Sequence, residues 1–202
     1  SEALEVADGE YWRYALLSLR PERGDSSFSW ADFQKMVNND LNDTIGNFIN
    51  RVLKFVSDKF DGAVPQPERQ TPDDQKFISD VLSKKKNYID FNYSLRIKDA
   101  VKEFLETGHI GNEYLSSQKP WDLIKKDYGR ASTVIYNSVQ AVHHIGFMMY
   151  PIMPLKSENL MNQLNIKGFI NEMVWDAIKP GYKINRGAVS PLFSKIKIIN
   201  DN

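Results

Sequence analysis

The chain has no cysteine. Disulfide frameworks, thiolate zinc sites and cysteine nucleophiles are therefore excluded. It has no net charge either, with 26 Lys+Arg against 26 Asp+Glu. That balance excludes disorder driven by like charge and a uniformly basic nucleic-acid coat, but leaves room for a local basic or aromatic patch. No apolar run approaches the ~18 residues a membrane span needs. The densest stretch, 146–155, is ten residues long and carries Pro151 and Pro154. The start, Ser1-Glu2-Ala3-Leu4-Glu5, offers neither the basic region nor the apolar stretch of a secretory signal. Glycine-rich phosphate loops, nucleophile elbows, internal repeats and low-complexity tracts are missing. Strand-like alternation is scarce, and residues 195–199 are its best instance.

What is present is helical periodicity over a chain of 202 residues, 42% hydrophobic, long enough for one large domain. In residues 29–60, Trp30, Phe33, Val37, Leu41, Ile45, Phe48, Val52 and Phe55/Val56 recur every three or four positions. Ser29 with Asp32 three residues on is an N-cap signature; Gly62 and Pro65 mark the end. Thr71-Pro72-Asp73-Asp74 opens a second helix with Thr as cap, Pro at the first position and acids in the first turn. A break is expected at 90–94. Further helices are expected over 95–115, 121–126, 131–150 and 156–164, with stops at Pro120, Pro151 and Pro154. Beyond residue 166, Pro180-Gly181, Gly187 and Pro191 predict an extended wrap over the surface. The reading is all-α: an antiparallel helix bundle with an irregular C-terminal wrap.

Charge is unevenly placed. Residues 1–34 carry seven acids against three bases, and residues 180–202 carry four bases against one acid. The expectation is that the two ends pair or are simply solvated, since four scattered bases do not make a nucleic-acid tail.

Candidate chemistry is sparse. His143 and His144 are adjacent and therefore about 100° apart on a helix, with no carboxylate three or four residues away. His109 is distant. No metal site is expected, and the pair is placed on a helix margin. Gly108-His109-Ile110-Gly111 and Ser83-Lys84-Lys85-Lys86 superficially look like the HIGH and KMSKS signatures of class I aminoacyl-tRNA synthetases. Both fall inside helical patterns without a nucleotide-binding sheet. The glycines are read as permitting close helix packing or a kink, and the lysines as a solvated face. No catalytic residue is assigned.

Two features depart from a bland bundle. On a 100°-per-residue wheel, Asn47 and Arg51 are i,i+4 neighbours on the flank of the first long helix, beside Asp40, Thr44 and Lys54. Arg51 has no acid three or four residues away, so it either pairs with another helix or is free. An amide beside a guanidinium suits the edge of a nucleobase. Trp121, in Pro120-Trp121 at a helix start, is either an interhelix core residue or a stacking platform for an unstacked base. Trp12 and Trp30 are placed in the core, and Trp175 is read as a packing anchor.

Several motifs then resemble, in order, the methionyl-tRNA synthetases past their KMSKS loop. They are Tyr11-Trp12-Arg13-Tyr14, Leu19-Arg20-Pro21-Glu22, Asp25-Ser26-Ser27-Phe28-Ser29-Trp30, Asn38-Asn39-Asp40-Leu41 and Gly46-Asn47-Phe48-Ile49-Asn50-Arg51. Phe60-Asp61-Gly62, Gly111-Asn112-Glu113-Tyr114, Pro120-Trp121, Pro151-Ile152-Met153-Pro154 and Ser190-Pro191-Leu192-Phe193 continue the series. The flavour is eukaryotic cytosolic. The resemblance implies a class I ligase without its catalytic domain. Residues 1–28 would be the connecting segment, 29–165 the helical anticodon-binding domain and 166–202 a tail packed back on it. It implies that Asn47, Arg51 and Trp121 read the wobble cytosine of the CAU anticodon of methionine tRNA. It also implies ATP and magnesium in the full enzyme, none of either in this chain, a catalytic domain in the same polypeptide, and a cytoplasmic location away from membranes. The alternative is a helical protein–protein interaction module, favoured if Trp121 is buried and Arg51 pairs with a carboxylate.

Overall fold

The computed structural model describes residues 2–21, 27–167 and 174–197. It is all helical: no strand occurs among the described residues, and their only extended pairing is the isolated antiparallel bridge between Ala63 and Lys183.

Two short helices begin the chain, α1 (Glu2–Val6) and α2 (Gly9–Ser18), the latter capped by the Asp8 carboxylate on the Glu10 amide at 3.0 Å. Ser29 caps α3 (Trp30–Lys35) by accepting from the Asp32 amide at 3.0 Å, as its sequence signature predicts. The rod then widens into a π-helical segment, Met36–Gly46, and returns to α-helix as α4 (Asn47–Lys59). At that junction the Asn47 backbone N–H donates to the Asn42 carbonyl, five residues back. The 100° wheel thus fails before residue 47. Thr44, expected on the polar flank, is buried and donates its hydroxyl to the Asn39 carbonyl at 2.9 Å. The four-residue steps of Leu41, Ile45, Phe48 (three on), Val52 and Val56 still land in the core.

A full capping box opens α5 (Pro72–Tyr93): Thr71 accepts from the Asp74 amide and Asp74 accepts from the Thr71 amide. A tight turn through Leu95 (φ 57°) leads into α6 (Ile97–Gln118), and α5 and α6 form an antiparallel hairpin. Lys119 takes the left-handed conformation (φ 48°), and Pro120 starts the single turn of α7 (Pro120–Leu123). The long helix α8 (Tyr128–Met149) runs through the middle of the bundle, packed by α4, α5, α6, α7 and α9 (Pro154–Gln163). It is buried almost all round, so its mixed composition carries no amphipathic stripe.

Gly108 and Gly111 do permit close packing. A Cβ on Gly111 would lie 2.7 Å from the Phe48 ring, and one on Gly108 would lie 2.6 Å from Ile45. Gly111→Ala should therefore lower stability. Overpacking costs about 1–3 kcal/mol and the gain in helix propensity returns about 1. Urea unfolding reads the difference, and an unchanged or raised midpoint would contradict the close approach.

The described part of the tail, 174–197, wraps the bundle as expected; residues 168–173 and 198–202 lie outside the described residues. Val64 donates to the Tyr182 carbonyl at 2.8 Å and Ile184 to the Gly62 carbonyl at 2.9 Å. Gly62 sits at φ 71°, and a Cβ there would meet the Arg186 side chain at 2.5 Å, so glycine is needed twice over. Residues 195–197 form no strand; Asn38 holds them through reciprocal bonds with Ile196. Residues 198–199 of that strand candidate lie outside the described residues.

Four expectations are corrected. Among the described residues the two chain ends meet through neutral groups, Tyr11 Oη accepting from the Ser194 amide at 2.9 Å. Three of the tail's cations pair instead with Asp43 (Lys195) and Asp61 (Lys183, Arg186), because the tail crosses those residues. Trp30 is 41% exposed, edge-on to Trp12 and Phe28, and Trp12 is only half-buried. Their shared aromatic cluster lies at the margin of the core. His143 and His144 are buried, not marginal, since α8 has no solvent face. Lys85 is buried too, with Nζ 3.2 Å from His144 Nδ1 and 4.4 Å over the Phe147 ring. Trp175 does act as an anchor, stacking on His144 with centroids 5.4 Å apart.

Candidate nucleic-acid interface

Asn47 and Arg51 both lie on α4, beyond the π-helical segment, so their i,i+4 relation is a true α-helical one. Asn47 is exposed and Arg51 half-buried. On the neighbouring element, the left-handed Lys119 turns the chain sharply, Pro120 is buried as an anchor, and Trp121 is left 41% exposed. Seventy residues of sequence separate Arg51 from Trp121, yet the guanidinium carbon lies over the indole, 5.0 Å from the ring centroid. The three residues named from sequence thus share one accessible face.

No carboxylate forms a salt bridge with Arg51 among the described residues, and burial alone lowers its pKa from the usual value. It stays cationic, since a guanidinium does not deprotonate in proteins. Beside the stack lies a cavity of about 250 Å³, lined by Arg51, Trp121, Asn50, Lys54, Phe55 and Lys59 among others. Three cations border it against the single acid Asp58. An aromatic platform, a free guanidinium, an exposed amide and an excess of positive charge can together take an unstacked base and its phosphate.

One participant escaped the sequence reading. Asn112 of α6 accepts from Asn47 Nδ2 at 3.2 Å and reaches α4 because Gly108 and Gly111 bring the helices together. Its signal was present as a polar residue one turn from Gly108, but nothing local indicates which helix it meets. The histidines do not join the face: His109 is exposed elsewhere on α6, and His143 and His144 are interior. Among the described residues no three His, Asp or Glu side chains converge as a metal set. Nor is any described helix long and apolar enough to cross a membrane.

Comparison with known proteins gives two consecutive family matches. Residues 1–53 match the family of class I (M) tRNA synthetases, and residues 64–199 match the anticodon binding domain of methionyl tRNA ligase. The chain is 40% identical over 199 residues to a methionine–tRNA ligase of Thermofilum pendens, covering 96% of this chain and 34% of that protein. It is 37% identical over 192 residues to the cytoplasmic methionine–tRNA ligase of Caenorhabditis elegans, covering 93% of this chain and 21% of that one. The chain thus spans about a third or less of the length of such relatives. The apo crystal structure of Mycobacterium tuberculosis methionyl-tRNA synthetase has the same fold, with a TM-score of 0.90 at 22% identity over 98% of this chain and 41% of that one. With two-thirds of its residues inside that match, the chain belongs to the family of the anticodon-binding domain of methionyl tRNA ligase.

Proposed function

We propose that this chain reads the CAU anticodon of methionine tRNA through Asn47, Arg51 and Trp121. The observation that carries the proposal is the Arg51 guanidinium lying over the half-exposed Trp121 ring, with Asn47 exposed one turn away. The wobble cytosine stacks on Trp121 and is hydrogen-bonded by the Asn47/Arg51 pair; Lys54 and Lys59 face its phosphates. In this reading, residues 1–28 link the helical reader, 29–165, to a catalytic domain of the same polypeptide, and 166–202 form a tail over the reader. That catalytic domain, using ATP and magnesium, joins methionine to the tRNA in the cytoplasm. This chain supplies discrimination and no chemistry of its own.

The rival reading, a protein-interaction module, would use the exposed aromatics Phe28 and Trp30. Neither condition that favours it is met, since Trp121 is accessible and Arg51 lies on the indole without an ion-paired carboxylate.

Titration of a labelled CAU anticodon stem-loop at fixed low salt tests the proposal. Wild-type chain should bind CAU more tightly than the stem-loop with its wobble base changed. Trp121→Ala should lose about 1–3 kcal/mol of binding, roughly 5- to 150-fold. Equal binding of both RNAs by the wild-type chain, or an unaffected Trp121→Ala variant, would overturn anticodon reading at this face.

A further inference from the structure

The amide of Asn112 has only one possible polarity. Its Nδ2 donates to two backbone carbonyls, Thr44 at 2.8 Å and Gly108 at 3.0 Å. Carbonyls only accept, so the nitrogen must face them and Oδ1 must face the other way. Oδ1 is the atom that meets Asn47, at 3.2 Å from Nδ2. An oxygen in that place obliges Asn47 to present its NH2 group to Asn112. The end of the Asn47 amide turned away from Asn112 is therefore Oδ1, on an exposed side chain that makes no other hydrogen bond among the described residues.

We infer that Asn112 is a positioning residue that fixes the polarity of the Asn47 amide, so that the reading face offers an acceptor beside the Arg51 donors. The inference rests on the anticodon-reading proposal and supplies its base preference. Cytosine carries an exocyclic N4 donor where uracil carries the O4 acceptor. Asn47 Oδ1 accepts from N4–H2 of cytosine, while the guanidinium, which has donors only, serves the N3 and O2 acceptors. Uracil would set O4 against Oδ1, two oxygens with no proton between them. A freely rotating Asn47 amide could turn its NH2 outward and accept uracil; the Asn112 tie prevents that turn.

The fold is arranged to make this tie. At the junction of the π-helical segment and α4, the Asn47 backbone N–H donates to the Asn42 and Thr44 carbonyls, and Thr44 O also accepts from Asn112 Nδ2. Gly108 and Gly111 let α6 come near enough for so short a side chain to span the gap.

The test compares wild-type chain, Asn112→Ala and Asn112→Asp against stem-loops bearing C or U at the wobble position, with urea unfolding of each protein measured in parallel. The C-to-U affinity ratio is the readout, because loss of a merely structural contact weakens both RNAs alike. Asn112→Ala should lower the ratio about tenfold. Asn112→Asp loses the donor to Thr44 and Gly108 but keeps an oxygen facing Asn47 Nδ2. It should be less stable and bind both RNAs more weakly, yet hold the ratio within about threefold of wild type. An unchanged ratio in Asn112→Ala, or a loss in Asn112→Asp equal to that in Asn112→Ala, would reduce Asn112 to an inter-helix tie and overturn the inference. If wild-type protein shows no preference for C, the anticodon reading itself fails and this inference falls with it. A wild-type preference that survives in Asn112→Ala fails the inference alone.

Discussion

Arg130→Ala should destabilise the fold by about 3–5 kcal/mol, the cost of leaving a buried carboxylate without its partner. Asp74 has a fully buried side chain, and Arg130 grips it through two bonds, Nη1 to Oδ2 at 2.6 Å and Nη2 to Oδ1 at 2.8 Å. The Tyr114 hydroxyl also donates to Oδ1, and the Thr71 amide to Oδ2 at 2.7 Å. Arg130 further reaches Gln118. The cluster thus ties the first turns of α5 and α8 to the end of α6. For a chain of this size the loss corresponds to a fall in Tm of about 6–20 °C.

The pH dependence gives the prediction a second reading. Burial alone would raise the Asp74 pKa, but the Arg130 guanidinium, the Thr71 amide and the Tyr114 hydroxyl outweigh it and hold the group below its ordinary value. A depressed carboxylate stabilises the fold above its unfolded pKa, and that contribution disappears as pH falls through the folded value. Without Arg130 burial dominates and the folded pKa rises. The variant then takes up a proton in the folded state, and its deficit against wild type narrows as pH falls towards 4. Urea midpoints from pH 7 to 4.5 check both points. A deficit under 1 kcal/mol, or one constant across that range, would contradict the assigned role.

The second large effect is acid destabilisation by His143 and His144. Burial chiefly, then the charge of Lys85, pushes His143 down to about 4; the same causes, with His143 added, push His144 down to about 3. Between pH 6.5 and 4 the unfolded chain binds protons on both imidazoles while the folded chain does not. Stability should fall with decreasing pH by up to about 1.4 kcal/mol per unit for each histidine, about 5 kcal/mol in all by pH 4. Depressed carboxylates such as Asp8, Asp43 and Asp74 act only below their ordinary pKa of 3.8, outside most of this window. Asp40, raised by burial, opposes the trend near its lower edge. Unfolding at pH 5.5 should therefore take up close to two protons. The His143→Gln/His144→Gln double variant should flatten the profile between pH 6.5 and 4.5. A wild-type midpoint independent of pH in that interval would show that the imidazoles are charged in the folded state.

Lys85, lowered to about 8 by burial, has the same sign in another window. The folded state loses its proton more readily than the unfolded one, so this group favours the fold increasingly as pH rises from about 8 to 10.5.

Caps and breaks set by neighbouring residues were legible in the sequence. Ser29 and Thr71 cap the helices that their sequence signatures predict, because a side-chain oxygen two or three residues from an unpaired amide needs no tertiary partner. Pro120, Pro151 and Pro154 bound elements where a missing N–H forbids continuation. The glycines at 108 and 111 signalled close approach, and the i,i+4 pair Asn47/Arg51 needed only one turn of α-helix to be side by side. The ordered motifs told of the family.

What depended on distant neighbours was not legible. Lys85, His143 and His144 read as polar surface, since nothing local shows that α8 is enclosed on all sides. The π-helical widening at Met36–Gly46 arises within a rod whose apolar spacing reads as ordinary α-helix. The meeting of Arg51 with Trp121, and the contact of Asn112 with Asn47, join elements about 65–70 residues apart. The sequence by itself determined the long helices from residue 29 onward, most of their caps and breaks, and which polar side chains stand beside one another on one helix. The tertiary structure decided which of those side chains share a face and which way an amide points, because hydrogen-bond polarity across two helices is set only when both are packed.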